Sequence, residues 1–167
     1  LLGGVRPDFF DIIRRPAFLL EIASMLTAAI LATAAAFHLR VPQAIMTRPI
    51  KALLAVASAF WAFEVVHSFL GAENLGFPHY IHDCLIDLTL IMAVPAFFMF
   101  IMLKRGATTQ ALWAGYAALL AVASFAAIGM RYLCPVDDPS HLLAWHFLPV
   151  LAYAGIGSLA GRFLLRW

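Results

Sequence analysis

Residues 85–103 read LIDLTLIMAVPAFFMFIML, nineteen positions among which only Asp87 carries a charge. About 20 mostly apolar residues, rising 1.5 Å each, match the hydrocarbon thickness of a bilayer. This stretch therefore reads as a transmembrane helix. Four more stretches satisfy the same criterion: Ala17–Leu39, Ile50–Leu70, Ala111–Met130 and Leu142–Phe163. The linkers between them are short and carry turn chemistry, as in Arg40-Val41-Pro42, Gly71 to His82, Lys104-Arg105-Gly106 and Cys134-Pro135 to Ser140. Short linkers make neighbouring helices antiparallel. The expected architecture is an all-α membrane protein, a bundle of five transmembrane helices forming one domain over residues 1–167. No internal repeat divides it.

Composition agrees. Of the 167 residues, 64% are hydrophobic and 12% charged, and the mean hydropathy is +0.93. Soluble domains carry roughly 45–50% apolar and about 25% charged residues. The net charge of +2, without a basic run, gives no footing for direct nucleic-acid binding. No phosphate-cradling glycine loop and no recognisable nucleophile–base pattern is present, so nothing points to an enzyme. The two cysteines, Cys84 and Cys134, are too few for a disulfide scaffold and too far apart in sequence for a compact zinc motif.

Basic residues orient the bundle. Alternation puts Arg40, Arg48, Lys51, Lys104, Arg105, Arg162 and Arg166 on one side, and Arg6, Arg14, Arg15 and Arg131 on the other. The seven-to-four majority makes the C-terminus cytoplasmic and residue 1 external. All nine acidic residues fall toward the external side. The chain opens on Leu1-Leu2-Gly3-Gly4, which reads as the tail of a helix that begins upstream; one more helix would make six and return the N-terminus to the cytoplasm. Gly157 and Gly161 form a GxxxG in the last span, a spacing that lets backbones approach closely in lipid. Pro95 and Pro149 lie inside spans and are expected to kink them. Trp61, Trp113, Trp145 and Trp167 read as interfacial or packing residues.

Ionisable groups at membrane depth are costly and call for a reason. Here they are stratified. Glu21, Glu64, His67 and Asp87 lie within spans near their outer ends. His79, His82, Cys84, Cys134, Asp137, His141 and His146 form an outer layer, and only His38 lies at the inner end. Three readings of this layer stand side by side. Its members are interfacial polar residues. Or Cys84 and Cys134 form a redox pair, as the oxidising side of a membrane permits. Or Cys and His, with Asp support, capture a soft or borderline transition-metal ion.

The C-terminal third carries a resemblance. Cys134-Pro135-Val136-Asp137-Asp138-Pro139-Ser140-His141, then Trp145-His146, Gly157, Gly161-Arg162 and Arg166-Trp167, is similar to the ending of the NrsF family of bacterial membrane anti-sigma factors. Arg6-Pro7-Asp8 resembles the segment after that family's first helix, and Cys84, Pro95 and Arg105-Gly106-Ala107 resemble its middle section. Thr108 stands where the family usually has Pro, and His146 where Tyr is common. The resemblance implies an inner-membrane protein whose cytoplasmic N-terminus, missing from this sequence, holds an extracytoplasmic-function sigma factor inactive. A metal or oxidative stress signal outside would release it, with Cys84 and Cys134 as the sensing residues.

Two rival functions are a haem- or metal-binding membrane redox protein, with His67 and His146 as axial ligands, and a small transporter using Glu64 and Asp87. The inner halves of the spans offer a transporter no polar pathway.

Overall fold

The computed structural model describes residues 4–71 and 81–165, with side chains from residue 84 onward in the second stretch. Among the described residues all regular structure is helical. A single turn, α1 (Phe9–Ile12), precedes α2 (Pro16–His38), α3 (Arg48–Leu70), α4 (Ile81–Lys104) and α5 (Ala111–Leu133). The last helix runs over Pro139–Leu164 in three parts: α6 (Pro139–His141), a π-turn (Leu142–Phe147) and α7 (Leu148–Leu164). The five long helices are each long and apolar enough to cross a membrane. At 23 residues, α2, α3 and α5 reach about 34 Å, against roughly 30 Å of hydrocarbon.

Proline punctuates the chain. Pro16 and Pro139 open their helices, and Pro49 sits in the first turn of α3, where a missing N–H costs nothing. Pro135 ends α5 from outside, because the residue before a proline is driven out of the helical region. Cys134 accordingly sits at φ −80°, ψ 120°. Among the boundaries that differ from the hydropathy reading, two shape the site. Helix α4 begins at Ile81, so Ile81 and His82 are helical rather than linker, and the last helix begins at Pro139 because Asp138 caps it.

Helix α5 is the central post, packed by α7, α2 and α4. Its alanines, from Ala114 to Ala127, leave no bulk between backbones. Closest is the crossing with α7, where Gly115 meets Gly157 and Gly161. Helix α3 stands farther out, against α2, α6 and the π-turn. Trp61 of α3 is fully buried, its ring edge-on to Phe147 at 4.9 Å. It is thus a packing residue, while Trp113 lies under the Lys51 ammonium (4.6 Å) where α3 and α5 begin. Leu19, Ile30, Val56, Phe63, Phe97, Phe98 and Phe163 point outward, a greasy exterior suited to acyl chains. Trp167 lies outside the described residues.

Candidate cysteine–histidine centre

The N-terminal end of α4, the C-terminal end of α5 and the N-terminal end of the last helix converge. Pro135 turns Cys134 off the axis of α5, and Cys84 stands in the first turn of α4. Their sulfurs are 3.6 Å apart, unbonded, although fifty residues separate them. Asp138 then caps the last helix, its Oδ1 accepting the N–H of Ser140 (2.9 Å) and of His141 (3.1 Å). That cap fixes His141, whose Nε2 lies 3.5 Å from the Cys134 sulfur.

The π-turn brings the fourth member. In an α-helix, residues five apart are rotated by about 140° and face different neighbours. The i→i+5 bonding of a π-turn sets them nearly one above the other. His141 and His146 therefore share a face, with ring centroids 5.3 Å apart. Pro149, just beyond, cannot donate to the carbonyl four residues back and would clash with it in a regular helix. The expected kink at this proline takes the form of the wide turn before it. One ligand atom from each of Cys84, Cys134, His141 and His146 lies within 4.8 Å of the other three.

Burial is nearly complete: His141, His146 and Cys134 are 1%, 2% and 5% exposed, and Cys84 is half-buried. Neither ring nitrogen of His146 has a hydrogen bond of ordinary geometry among the described residues, and the ring interacts with the Cys134 thiol. Leaving a buried polar group unpaired costs about 1–3 kcal/mol. The Cys84 side chain, and with it His141, draws the Cys134 thiol well below its ordinary range against the opposing effect of burial. A thiolate is both the nucleophile of disulfide chemistry and the form that binds metal. Two thiols and two imidazoles at this spacing can take a soft or borderline cation, or the thiols can be oxidised to each other.

Asp137 is elsewhere. It accepts from Arg6 (Nη2 2.7 Å, Nη1 3.0 Å) and from Arg131 Nη1 (2.9 Å). Arg131 also reaches Glu21 on α2 (3.0 Å), while Arg6 clasps Asp8 (2.7 Å) and donates its backbone N–H to the Tyr132 carbonyl (3.0 Å). Both arginines, read from sequence as outer-side orientation charges, are 3% exposed. The segment before α2 is in this way latched to the Cys134–His141 loop. Sequence offered one signal for this, the charged pair within Arg6-Pro7-Asp8, and nothing to name its partner.

Burial raises the Asp137 carboxyl, but the hydrogen bonds from Arg6 and Arg131 outweigh it and hold the group below the ordinary 3.8. A depressed carboxylate stabilises the fold above that value and loses its contribution as the pH falls through the lowered one. The latch should therefore be intact from neutrality down to about pH 4 and fail only in stronger acid. Asp137→Asn leaves two buried guanidiniums short of their shared anion. It is expected to destabilise the solubilised protein by about 2–3 kcal/mol, less than for a fully buried pair because Asp137 is partly exposed. An unchanged thermal midpoint would remove the latch from this account.

The remaining outer-layer residues do not join the four. Glu64 accepts from Ser24 Oγ (2.9 Å), and the exposed His67 stacks on Phe63 (5.7 Å). Both line a cleft of about 440 Å³ with Arg15, Glu21, Arg131 and Asp137. His67 thus faces a different space from His146. Asp87 is half-buried on α4, one turn beyond Cys84. His79 and the His82 side chain lie outside the described residues.

No curated protein and no solved structure matches the chain. The family model described as NrsF, negative regulator of sigma F, matches residues 1–167. The paired cysteines of α4 and α5 and the arginine-latched acidic loop thus sit in a sequence that conforms to one family along its whole length, and the chain belongs to the NrsF family.

Proposed function

We propose that this chain is a multi-pass inner-membrane anti-sigma factor with a cytoplasmic C-terminus. It holds an extracytoplasmic-function sigma factor at the cytoplasmic face and releases it when a metal or redox signal outside reaches Cys84 and Cys134. It acts as a regulator, not a catalyst. The observation that carries this reading is the meeting of the two cysteines at 3.6 Å, from opposite ends of two successive spans, at one end of the bundle. Six basic residues among the described ones, Arg40, Arg48, Lys51, Lys104, Arg105 and Arg162, lie toward the opposite end and support the orientation.

The latch supplies a route for the signal. Asp137 lies three residues after Cys134 and four before His141, so a rearrangement of the thiols moves its loop. Arg6 carries that motion into the segment before α2, and Arg131 carries it through Glu21 into α2 itself. The signal shifts such an equilibrium only by the difference in its affinity for the two arrangements.

Co-purification tests the proposal. The full-length protein, taken from native membranes of unstressed cells in mild detergent, should bring a sigma factor with it in near-stoichiometric amount. Recovery of intact protein with no sigma factor would end the anti-sigma reading for this chain.

A further inference from the structure

We propose that Cys84, Cys134, His141 and His146 form a four-coordinate site for a d10 divalent cation of the zinc class, with the π-turn as the device that completes it. This rests on the reading of Cys84 and Cys134 as the sensing pair and names what they sense.

Two of the ligand–ligand distances fit a tetrahedral cation. Around a tetrahedral zinc, with about 2.3 Å to sulfur and about 2.0–2.1 Å to nitrogen, neighbouring ligands are about 3.8 Å apart for sulfur pairs and about 3.6 Å for sulfur–nitrogen pairs. The observed separations are 3.6 Å between the sulfurs and 3.5 Å from Cys134 Sγ to His141 Nε2. A disulfide would use the two sulfurs alone and leave the two converging imidazoles without a role.

His146 supplies an independent observation. Its ring is 2% exposed, neither nitrogen has a hydrogen bond of ordinary geometry among the described residues, its polar neighbour is the Cys134 thiol, and it belongs to the group whose ligand atoms converge within 4.8 Å. A regular α-helix would carry this ring away from His141; the π-turn does not.

The ligands also divide usefully between elements. Three belong to the segment from the end of α5 to the π-turn, and the fourth to α4. A bound ion would clamp the outer end of α4 to the core post α5. Thiolate and imidazole together suit zinc and cadmium, whereas magnesium and calcium prefer oxygen.

The test uses the purified full chain, reduced and stripped with chelator in detergent, with Co²⁺ as the optical probe and Zn²⁺ as competitor. One Co²⁺ per chain should bind, with thiolate charge-transfer absorption and the intense visible bands of tetrahedral cobalt. Zn²⁺ should bleach them. Affinity should fall at least about 100-fold in His146→Gln and in Cys84→Ser, each of which removes one of four ligands. Far-UV circular dichroism should stay unchanged, and His67→Gln should bind as wild type.

Equal affinity in His146→Gln and wild type would overturn the proposal. So would reduced protein that takes no ion, or one that merely oxidises to an intramolecular disulfide at the same rate in every histidine variant. His141→Gln gives the same test should His146→Gln fail to fold. No sigma factor is present in these measurements, so failure here leaves the anti-sigma reading standing, and failure of co-purification leaves the metal site standing.

Discussion

Gly157→Leu is expected to break the packing of α5 against α7 and to abolish recovery of folded protein. A Cβ built at Gly157 would lie 2.8 Å from Leu119 Cβ and 3.1 Å from the Gly115 carbonyl carbon, with the Gly115 oxygen closer still. Backbone cannot yield as a flexible side-chain tip can, so the helices must separate. In a bilayer no hydrophobic force would draw them together again, and association would depend on close van der Waals contact. Overpacking in a well-filled core costs about 1–3 kcal/mol for an added methylene or so. Leucine adds a whole side chain at the tightest crossing of the bundle. Gly155 is the control: a Cβ there meets nothing within 4 Å, so Gly155→Ala should be neutral or slightly stabilising. Size-exclusion profile and thermal midpoint in detergent report both. A monodisperse Gly157→Leu protein with the wild-type midpoint would contradict the described packing.

The second large effect is functional. Cys134→Ser, and separately Cys84→Ser, should reduce induction by the external signal to the uninduced level while leaving membrane insertion intact. The exchange barely alters the apolar spans, so insertion has no reason to change. It does replace a thiol already held toward thiolate with a hydroxyl that neither ionises near neutrality nor forms a disulfide, and that is a poor partner for soft ions. A reporter driven by the sigma factor, read with and without signal, measures the effect. Normal induction in both mutants would exclude the cysteines from sensing.

The long helices are legible because a run of about 20 apolar residues marks a helix long enough to cross a bilayer. The five apolar runs each correspond to a long helix. The centre was only partly legible. Cys84, Cys134, His141 and His146 were all visible as outer-layer residues, but so were Asp137, His67, His79 and His82, and spacing did not sort them. His141 and His146, five apart, do not share a face in any regular α-helix. Their alignment depends on a π-turn whose sequence trace is Pro149 downstream. Asp137 stands in sequence as possible support for a cysteine–histidine site, yet its hydrogen-bond partners are Arg6 and Arg131, residues that sequence weighs only for orientation. Long-range ion pairs between remote segments leave no periodic mark in a sequence. The GxxxG of α7 was legible as a motif, but its partner Gly115 was not, for the same reason.

The central claim is that an external ligand at the cysteine–histidine centre releases a sigma factor held on the other side. The direct measurement is the amount of sigma factor retained with the protein in intact spheroplasts before and after Zn²⁺ is added outside, in wild type, Cys134→Ser and His146→Gln. The account predicts retention in all three before addition, release from wild type, and continued retention in both variants. Release that is the same in all three, or no retention in wild type at the start, would contradict it.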